Sequence, residues 1–201
     1  SEGEGSFADL ETDIAGSEVK LAKDYVQGED ETNITITEDK VIDADGHTIT
    51  ATKGIFNIPN GTTLTFKNAI VSSSHGPTYS NYWYDLYNKG TLIVNNVTFK
   101  YNSPDRTYGG EIWTGVNSTL TVTDSVFDGE HTVRSQIYAD GLNYNINIDK
   151  CTFKNNLAHL RAGAIFTSFA KVTITDSIFS GNKIVNSDKK GYGGAIWMNK
   201  G

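Results

Sequence analysis

One short pattern recurs down this chain and restricts its fold more than any other feature. It is clearest in residues 119–127, TLTVTDSVF, where Leu120 and Val122 alternate with polar residues, Asp124 marks a bend and Phe127 closes the unit. Five copies open at Leu64, Leu92, Leu120, Ile146 and Val172, at spacings of 28, 28, 26 and 26 residues. They close at Val71, Phe99, Phe127, Phe153 and Phe179. Each copy therefore contains two short strands separated by a polar corner.

An aliphatic residue followed directly by an aromatic residue completes each copy. The six pairs are Ile55-Phe56, Leu86-Tyr87, Ile112-Trp113, Ile137-Tyr138, Ile165-Phe166 and Ile196-Trp197. Three β segments in a period of about 25 to 30 residues, with no helical periodicity between them, predict a coil in which each turn buries its apolar face against the next. The predicted fold is all-β, a parallel β-helix with the closing Phe side chains stacked inside.

The N-terminal residues have a different pattern. Residues 1–5 are acidic and rich in Gly, which predicts a disordered linker. Ser6 and Asp9 have the spacing of a capping box, and Phe7, Leu10 and Ile14 share one helical face. We therefore expect a short helix over residues 6–16 that covers the open first turn. A single β-helix domain should fill residues 17–201, and the absence of a capping pattern after its last aromatic strand predicts that it continues in a longer protein.

Composition excludes several classes of partner and site. The chain has 17 Lys and Arg against 24 Asp and Glu, so its net charge of -7 disfavours nucleic acid. No apolar run approaches the roughly 18 residues of a membrane span, so no membrane insertion is predicted for this segment. The single Cys151 excludes an internal disulfide, and its place in the repeat predicts a small core residue.

Two short motifs carry a resemblance to known proteins. F-x-x-N occurs at residues 99–102, 153–156 and 179–182, and G-[GA]-x-I-[WF] at residues 109–113 and 193–197, with a shortened copy at Gly163. With Asp43-Ala-Asp-Gly-His-Thr-Ile49 upstream, residues 34–201 resemble the adhesin-like surface proteins of methanogenic archaea. They are also similar to the GGAI and FxxN repeats of chlamydial polymorphic outer-membrane proteins.

This resemblance implies a right-handed parallel β-helix of the pectate-lyase-like class, extracellular, displayed on the cell surface and used for attachment. The copy at Phe127 departs from the pattern, with Glu130 in place of Asn and Ser135-Gln136 in place of the glycines. Asn side chains stacked at the strand spacing of about 4.8 Å can bond to one another or to the neighbouring backbone, so F-x-x-N has a structural explanation.

Right-handed β-helices also include polysaccharide lyases and hydrolases, which act through clustered carboxylates. Polygalacturonase-like enzymes carry paired aspartates near a Gly-His-Gly turn, whereas this chain has Asp45-Gly46-His47 followed by Thr48. The loop carboxylates could act on a glycosidic bond only if the fold brings two of them to about 5 to 10 Å. They are Asp85, Asp105, Glu111, Glu130 and Asp140. The four His residues lack metal-ligand spacing, so no metal site is predicted. The sequence also predicts no catalytic residue and no cofactor.

Aromatic residues give the first candidate binding surface. Adjacent residues of a strand point to opposite faces, so the aromatic residue of each pair lies outside if its aliphatic neighbour lies inside. This predicts an external ladder of Phe56, Tyr87, Trp113, Tyr138, Phe166 and Trp197, with Tyr82 and Trp83 in a nearby loop. Large exposed apolar patches indicate contact with a partner, whereas rings that only stack on one another would stabilise the sheet.

The three arginines give the second candidate. Arg106, Arg134 and Arg161 follow their core Phe residues by 7, 7 and 8 positions, so they should occupy the same loop on successive turns. One interpretation is ion pairing with Asp105, Glu130 and Asp140. The other is an anion-binding strip beside Trp113 and Tyr138, suited to uronic or sialic acids.

These observations favour a non-catalytic adhesin module that binds a glycan or a surface protein of a partner cell. The candidate binding residues are Arg106, Arg134, Arg161, Trp113, Tyr138, Tyr87, Tyr82 and Trp83. Two alternatives remain, a carbohydrate-active lyase or hydrolase and a structural stalk.

Overall fold

A computed structural model describes residues 3–74, 84–101, 110–129, 131–132, 135–159, 161–185 and 193–200. Its helix α1 spans Phe7–Asp13. The described strands are β1 (Glu18–Lys20), β2 (Tyr25–Val26), β3 (Ile34–Thr35), β4 (Lys40–Asp43), β5 (Thr48–Ala51), β6 (Phe56–Ile58), β7 (Thr63–Ser73), β8 (Tyr84–Asn88), β9 (Thr91–Tyr101), β10 (Gly110–Thr114), β11 (Thr119–Thr123), β12 (Val126–Asp128), β13 (His131–Thr132), β14 (Ile137–Asp149), β15 (Thr152–Lys154), β16 (Leu157–Ala158), β17 (Ile165–Thr175), β18 (Ile178–Ser180), β19 (Lys183–Ile184) and β20 (Ile196–Asn199).

Seventeen of these strands form three faces of a coil in which neighbouring turns pair in parallel, and β13, β16 and β19 form a separate three-stranded parallel sheet. The first face contains β1, β4, β11 and parts of β7, β9, β14 and β17. The second contains β2, β5, β12, β15, β18 and the ends of β7 and β9. The third contains β3, β6, β8, β10, β20 and the starts of β14 and β17. The predicted parallel β-helix is confirmed.

The core consists of columns of equivalent side chains, one from each turn. The five opening residues of the repeat align in register from Leu64 to Val172. The rings of Phe99, Phe127, Phe153 and Phe179 stack with centroid distances of 4.6, 4.5 and 4.9 Å and interplanar angles of 15° or less. The predicted Phe stack is therefore present inside the coil.

The polar corner between the first two faces requires a left-handed backbone. Asn68, Asn96, Asp124, Lys150 and Asp176 have φ between 46° and 55°. Asn tolerates this region better than most residues, and its short amide can also bond across turns. Asn96 Nδ2 donates to Asn68 Oδ1 at 2.9 Å, and Asn68 Nδ2 donates to Asp43 Oδ1 at 2.9 Å.

The F-x-x-N motif has the structural role that was expected for it. Asn156 Nδ2 donates to the carbonyl of Phe127 at 3.2 Å and to Asn182 Oδ1 at 2.8 Å. Asn182 Nδ2 donates to the carbonyl of Phe153 at 2.8 Å. Each of these Asn side chains therefore ties its turn to the preceding turn.

Helix α1 lies against the first turn. Ser6 Oγ accepts from the Asp9 N–H and the Asp9 carboxylate accepts from the Ser6 N–H, which is the predicted capping box. Gly5, placed in the linker by sequence, pairs with Tyr25. Glu31, which the sequence did not single out, accepts from the N–H groups of Phe7, Ala8 and Gly28 at 3.0, 2.7 and 2.7 Å.

The predicted position of Phe56 is wrong by one residue. Phe56 pairs with Leu86, and Asn57 pairs with Tyr87, so Asn57 and not Phe56 occupies the outward position. Phe56 is fully buried and packs edge-on against Phe66, with ring centroids 5.6 Å apart. Because Ile55 and Phe56 are both apolar, the alternation alone did not fix which one faces outward.

Candidate binding face

The aromatic residues of the third face align as an outward ladder from Tyr87 to Trp197. The register joins Tyr87 to Trp113, Trp113 to Tyr138, Tyr138 to Phe166 and Phe166 to Trp197. The ring centroids are 5.9 Å apart for Tyr87 and Trp113, 5.0 Å for Tyr138 and Phe166, and 4.9 Å for Phe166 and Trp197. We call these five residues the aromatic ladder.

A recurrent irregularity of the backbone holds the ladder outward. The N–H groups of Glu111 and Ile112 both donate to the carbonyl of Gln136, and those of Ala164 and Ile165 both donate to the carbonyl of Ala195. This shared acceptor marks a β-bulge on each of these turns. A Cβ on Gly110 would lie 2.3 Å from the Ser135 carbonyl oxygen, so the turn before this bulge requires glycine.

The middle of the ladder is more covered than its other residues. Tyr87, Trp113 and Trp197 are partly exposed, whereas Tyr138 and Phe166 are only 3% and 2% exposed. Tyr84 packs against the covered region, with its ring centroid 6.1 Å from that of Tyr138. Tyr138 is therefore not an exposed contact residue, contrary to the sequence interpretation.

Arg161 is the second reason that the middle of the ladder is covered. Its guanidinium carbon lies 4.1 Å from the ring centroid of Phe166, 5.2 Å from that of Tyr138 and 5.8 Å from that of Trp197. Nη1 donates to Tyr138 Oη at 2.6 Å and to Asp140 Oδ2 at 3.3 Å. The predicted pairing of Arg161 with Asp140 is thus present, and the side chain of Arg161 remains 34% exposed.

Several predicted binding residues fall outside the described part of the chain. They are Arg106, Arg134, Tyr82 and Trp83, together with the proposed counterions Asp105 and Glu130. The alignment of the three arginines on successive turns therefore stays a prediction. Five insertions, residues 74–83, 102–109, 129–136, 155–164 and 181–195, lie between a strand of the second face and the next strand of the third face.

Two carboxylates converge at the base of these insertions. Ser73 Oγ contacts Asp85 Oδ2 and lies 3.3 and 3.4 Å from the two carboxylate oxygens of Glu111. Sequence reasoning noted both acids as loop carboxylates, but Asp85 and Glu111 are fully buried, because the chain directs them into the coil. A glycosidase needs carboxylates that reach its substrate, so this pair has the position of an internal polar contact.

Cys151 and His47 are two further residues of reactive or metal-binding types whose surroundings the structure describes. Cys151 is 1% exposed, and burial raises the pKa of its thiol to about 11, so it remains a protonated core residue at neutral pH. His47 Nδ1 lies 3.1 Å from Asp24 Oδ1.

In the part of the chain that the structure describes, no three His, Cys, Asp or Glu side chains come together as a metal-binding group. Within the same ranges, no helix combines the length and apolar character of a membrane span.

Comparison with known proteins agrees with the architecture. The model of the right-handed β-helix region family matches residues 25–201. The probable autotransporter YfaL of Escherichia coli (strain K12) is 36% identical over 105 residues, which are 48% of this chain and 8% of that protein. The chain thus aligns with a small part of that relative, and no solved structure matches it. The finer resemblance to methanogen and chlamydial surface proteins stays a prediction. Because the family match covers most of its length, the chain belongs to the right-handed β-helix family.

Proposed function

We propose that this domain is a non-catalytic adhesive module of a cell-surface protein and that it binds a glycan of a partner cell along the aromatic ladder. The observation that carries the proposal is the set of outward rings held in register on successive turns. Aromatic side chains are large apolar surfaces, and an exposed group of them indicates a contact site. The C–H faces of sugar rings are a suitable partner for such a surface.

The ladder is also rigid before any ligand arrives. The aromatic contacts of Tyr84 and the stacking of Arg161 hold the central rings, while Tyr87, Trp113 and Trp197 keep part of their surface in solvent. Side chains that are already ordered lose little conformational entropy on binding. This combination of a fixed centre with partly exposed rings at Tyr87 and Trp113 favours a binding surface over a ladder that serves the sheet alone.

Similarity to the probable autotransporter supports an extracellular location at the cell surface. Since the aligned region is 8% of that relative, we also propose that this domain is one part of a longer surface protein. A surface protein of the partner cell is the second class of ligand that the exposed rings could contact.

A glycan array tests the proposal directly. The purified 201-residue chain should bind at least one immobilised oligosaccharide, and Trp113→Ala should weaken that binding at least tenfold, since buried aromatic anchors commonly contribute more than about 1.4 kcal/mol. Thr121→Ala is the matched control, because Thr121 is a partly exposed residue of the first face. Circular dichroism should show both variants folded.

Two results would overturn the proposal. The wild-type chain could bind no glycan on the array, in which case the ladder is structural and the domain fits a stalk. Alternatively, Trp113→Ala and Thr121→Ala could bind as tightly as the wild type, which would place any glycan site elsewhere.

A further inference from the structure

Arg161 is held in one orientation by its surroundings. It sits over the rings of Tyr138, Phe166 and Trp197, with distances of 4.1 to 5.8 Å from the guanidinium carbon to the ring centroids. The contacts to Tyr138 Oη and Asp140 Oδ2 both use Nη1. One edge of the guanidinium is therefore fixed by the protein, and one flat face is covered by aromatic rings.

The opposite edge is available to a ligand. A guanidinium has five N–H donors in a rigid fork, and the two on Nη1 are directed at Tyr138 and Asp140. Nε and Nη2 make no hydrogen bond to the described residues, and the side chain is 34% exposed. Three N–H groups in a planar array match the two oxygens of a carboxylate, which accepts such pairs bidentately.

The ion pair with Asp140 does not by itself explain this arrangement. Exposed pairs of this kind contribute about 0 to 1 kcal/mol, and Asp140 uses only the inner edge of the guanidinium. Together with Tyr138, Asp140 fixes Nη1, so the Nε and Nη2 donors are left for another acceptor. The partly exposed Trp197 lies beside the same guanidinium, with its ring centroid 5.8 Å away.

We infer that the glycan bound by the aromatic ladder is acidic, and that Arg161 binds the carboxylate of a pyranose sugar while the ring of that sugar lies on Trp197. This inference rests on the proposed function, since it names the ligand class of the same face. A guanidinium already ordered by stacking loses less freedom on binding than a flexible Lys, which has no planar fork. The net charge of -7 gives no long-range attraction for such a ligand, so selection must come from this local contact.

The test compares acidic sugars with neutral sugars of the same skeleton on the wild-type chain. Trigalacturonate is measured against its carboxyl-reduced form by isothermal titration calorimetry, and 3′-sialyllactose is measured against its neutral methyl ester. At least one acid should bind ten times or more tightly than its neutral partner, and the pair that shows the difference identifies a uronate or a sialate as the source of the carboxylate.

Variants then assign the effect to Arg161. Arg161→Gln should reduce the ratio of acid affinity to neutral affinity to less than threefold, because the residue that distinguishes the two ligands is lost. Arg161→Lys should keep part of the preference, because the charge remains and the planar fork is lost. A change confined to stability would move the acid and neutral affinities together, which distinguishes a binding role from a structural one.

The possible failures are distinguishable. Equal affinity for acid and neutral forms in the wild-type chain would overturn the acidic ligand and leave the proposed glycan site intact. An acid preference that persists unchanged in Arg161→Gln would overturn the role of Arg161. Failure to bind any sugar, both here and on the glycan array, would overturn the proposed function itself.

Discussion

A single residue in this coil acts through its column, because each inward side chain touches the equivalent side chain on the turns before and after it. Phe153 illustrates this, since its ring stacks on Phe127 at 4.5 Å and on Phe179 at 4.9 Å. Removing one ring from the column leaves a cavity bounded by two turns rather than by one.

We therefore expect Phe153→Ala to lower the free energy of unfolding by about 3 to 5 kcal/mol, the usual cost of truncating a buried Phe. Thr152→Ala, on the outward side of the same strand, should change it by no more than about 0.5 kcal/mol. Chemical denaturation monitored by circular dichroism measures both. A Phe153→Ala variant as stable as Thr152→Ala would mean that the ring is not part of the core.

The sequence predicted correctly which side chains face into the coil where apolar and polar residues alternate regularly. It predicted them wrongly at the bulges. Within each strand, the opening residues and the stacked Phe residues follow a two-residue period. The sequence therefore indicated which of these residues line up in columns inside the coil. Glu111 was read as a loop acid, because the bulge at Glu111 and Ile112 has no signature in the alternation, and the burial of Asp85 next to the buried Leu86 has none either. Tyr138 was read as exposed, because its covering by Arg161 is a tertiary contact.

At the scale of elements, α1 is attached to the first turn through its buried apolar face and through one carboxylate. Glu31 accepts three backbone N–H groups, two of them from the first turn of the helix. These hydrogen bonds, led by that of Gly28, lower the pKa of Glu31 below its ordinary value. The local sequence predicted the capping box but could not reveal a partner more than twenty residues away.

The attachment of α1 should consequently depend on pH. Because the folded-state pKa of Glu31 lies below its unfolded value of about 4.3, the contribution of Glu31 is fully present above that value and is lost as the pH falls through the folded-state pKa. Hydrogen exchange should show protection of the α1 amides decreasing as the pH falls below about 4.3.

Glu31→Gln separates this effect from the titration of Asp9, whose pKa is also lowered, chiefly by the backbone N–H of Ser6. The variant should show weaker protection of α1 than the wild type already at pH 6 and a smaller further decrease on acidification. Equal protection of α1 in Glu31→Gln and the wild type at pH 6 would show that the carboxylate does not hold the helix.

At the scale of the whole molecule, the three faces of the coil carry different surfaces. The outward positions of the first face are mainly Thr, Asn and charged residues, as in β11 and the end of β14. The third face carries the aromatic ladder, and the insertions return beside it. The repeat period made this division predictable from the sequence, whereas the coverage of the middle of the ladder depends on side chains from the insertions and could not be read from the period.

The most direct test of the account is to observe the indole N–H groups while a glycan binds. The chain has three Trp residues, so a ¹⁵N-labelled sample has three indole signals, which replacement of each Trp by Phe assigns to Trp83, Trp113 and Trp197. On titration with the strongest glycan of the array, the signals of Trp113 and Trp197 should shift with a common dissociation constant. A shift confined to Trp83, or no indole shift on binding, would contradict the assignment of the aromatic ladder as the binding face.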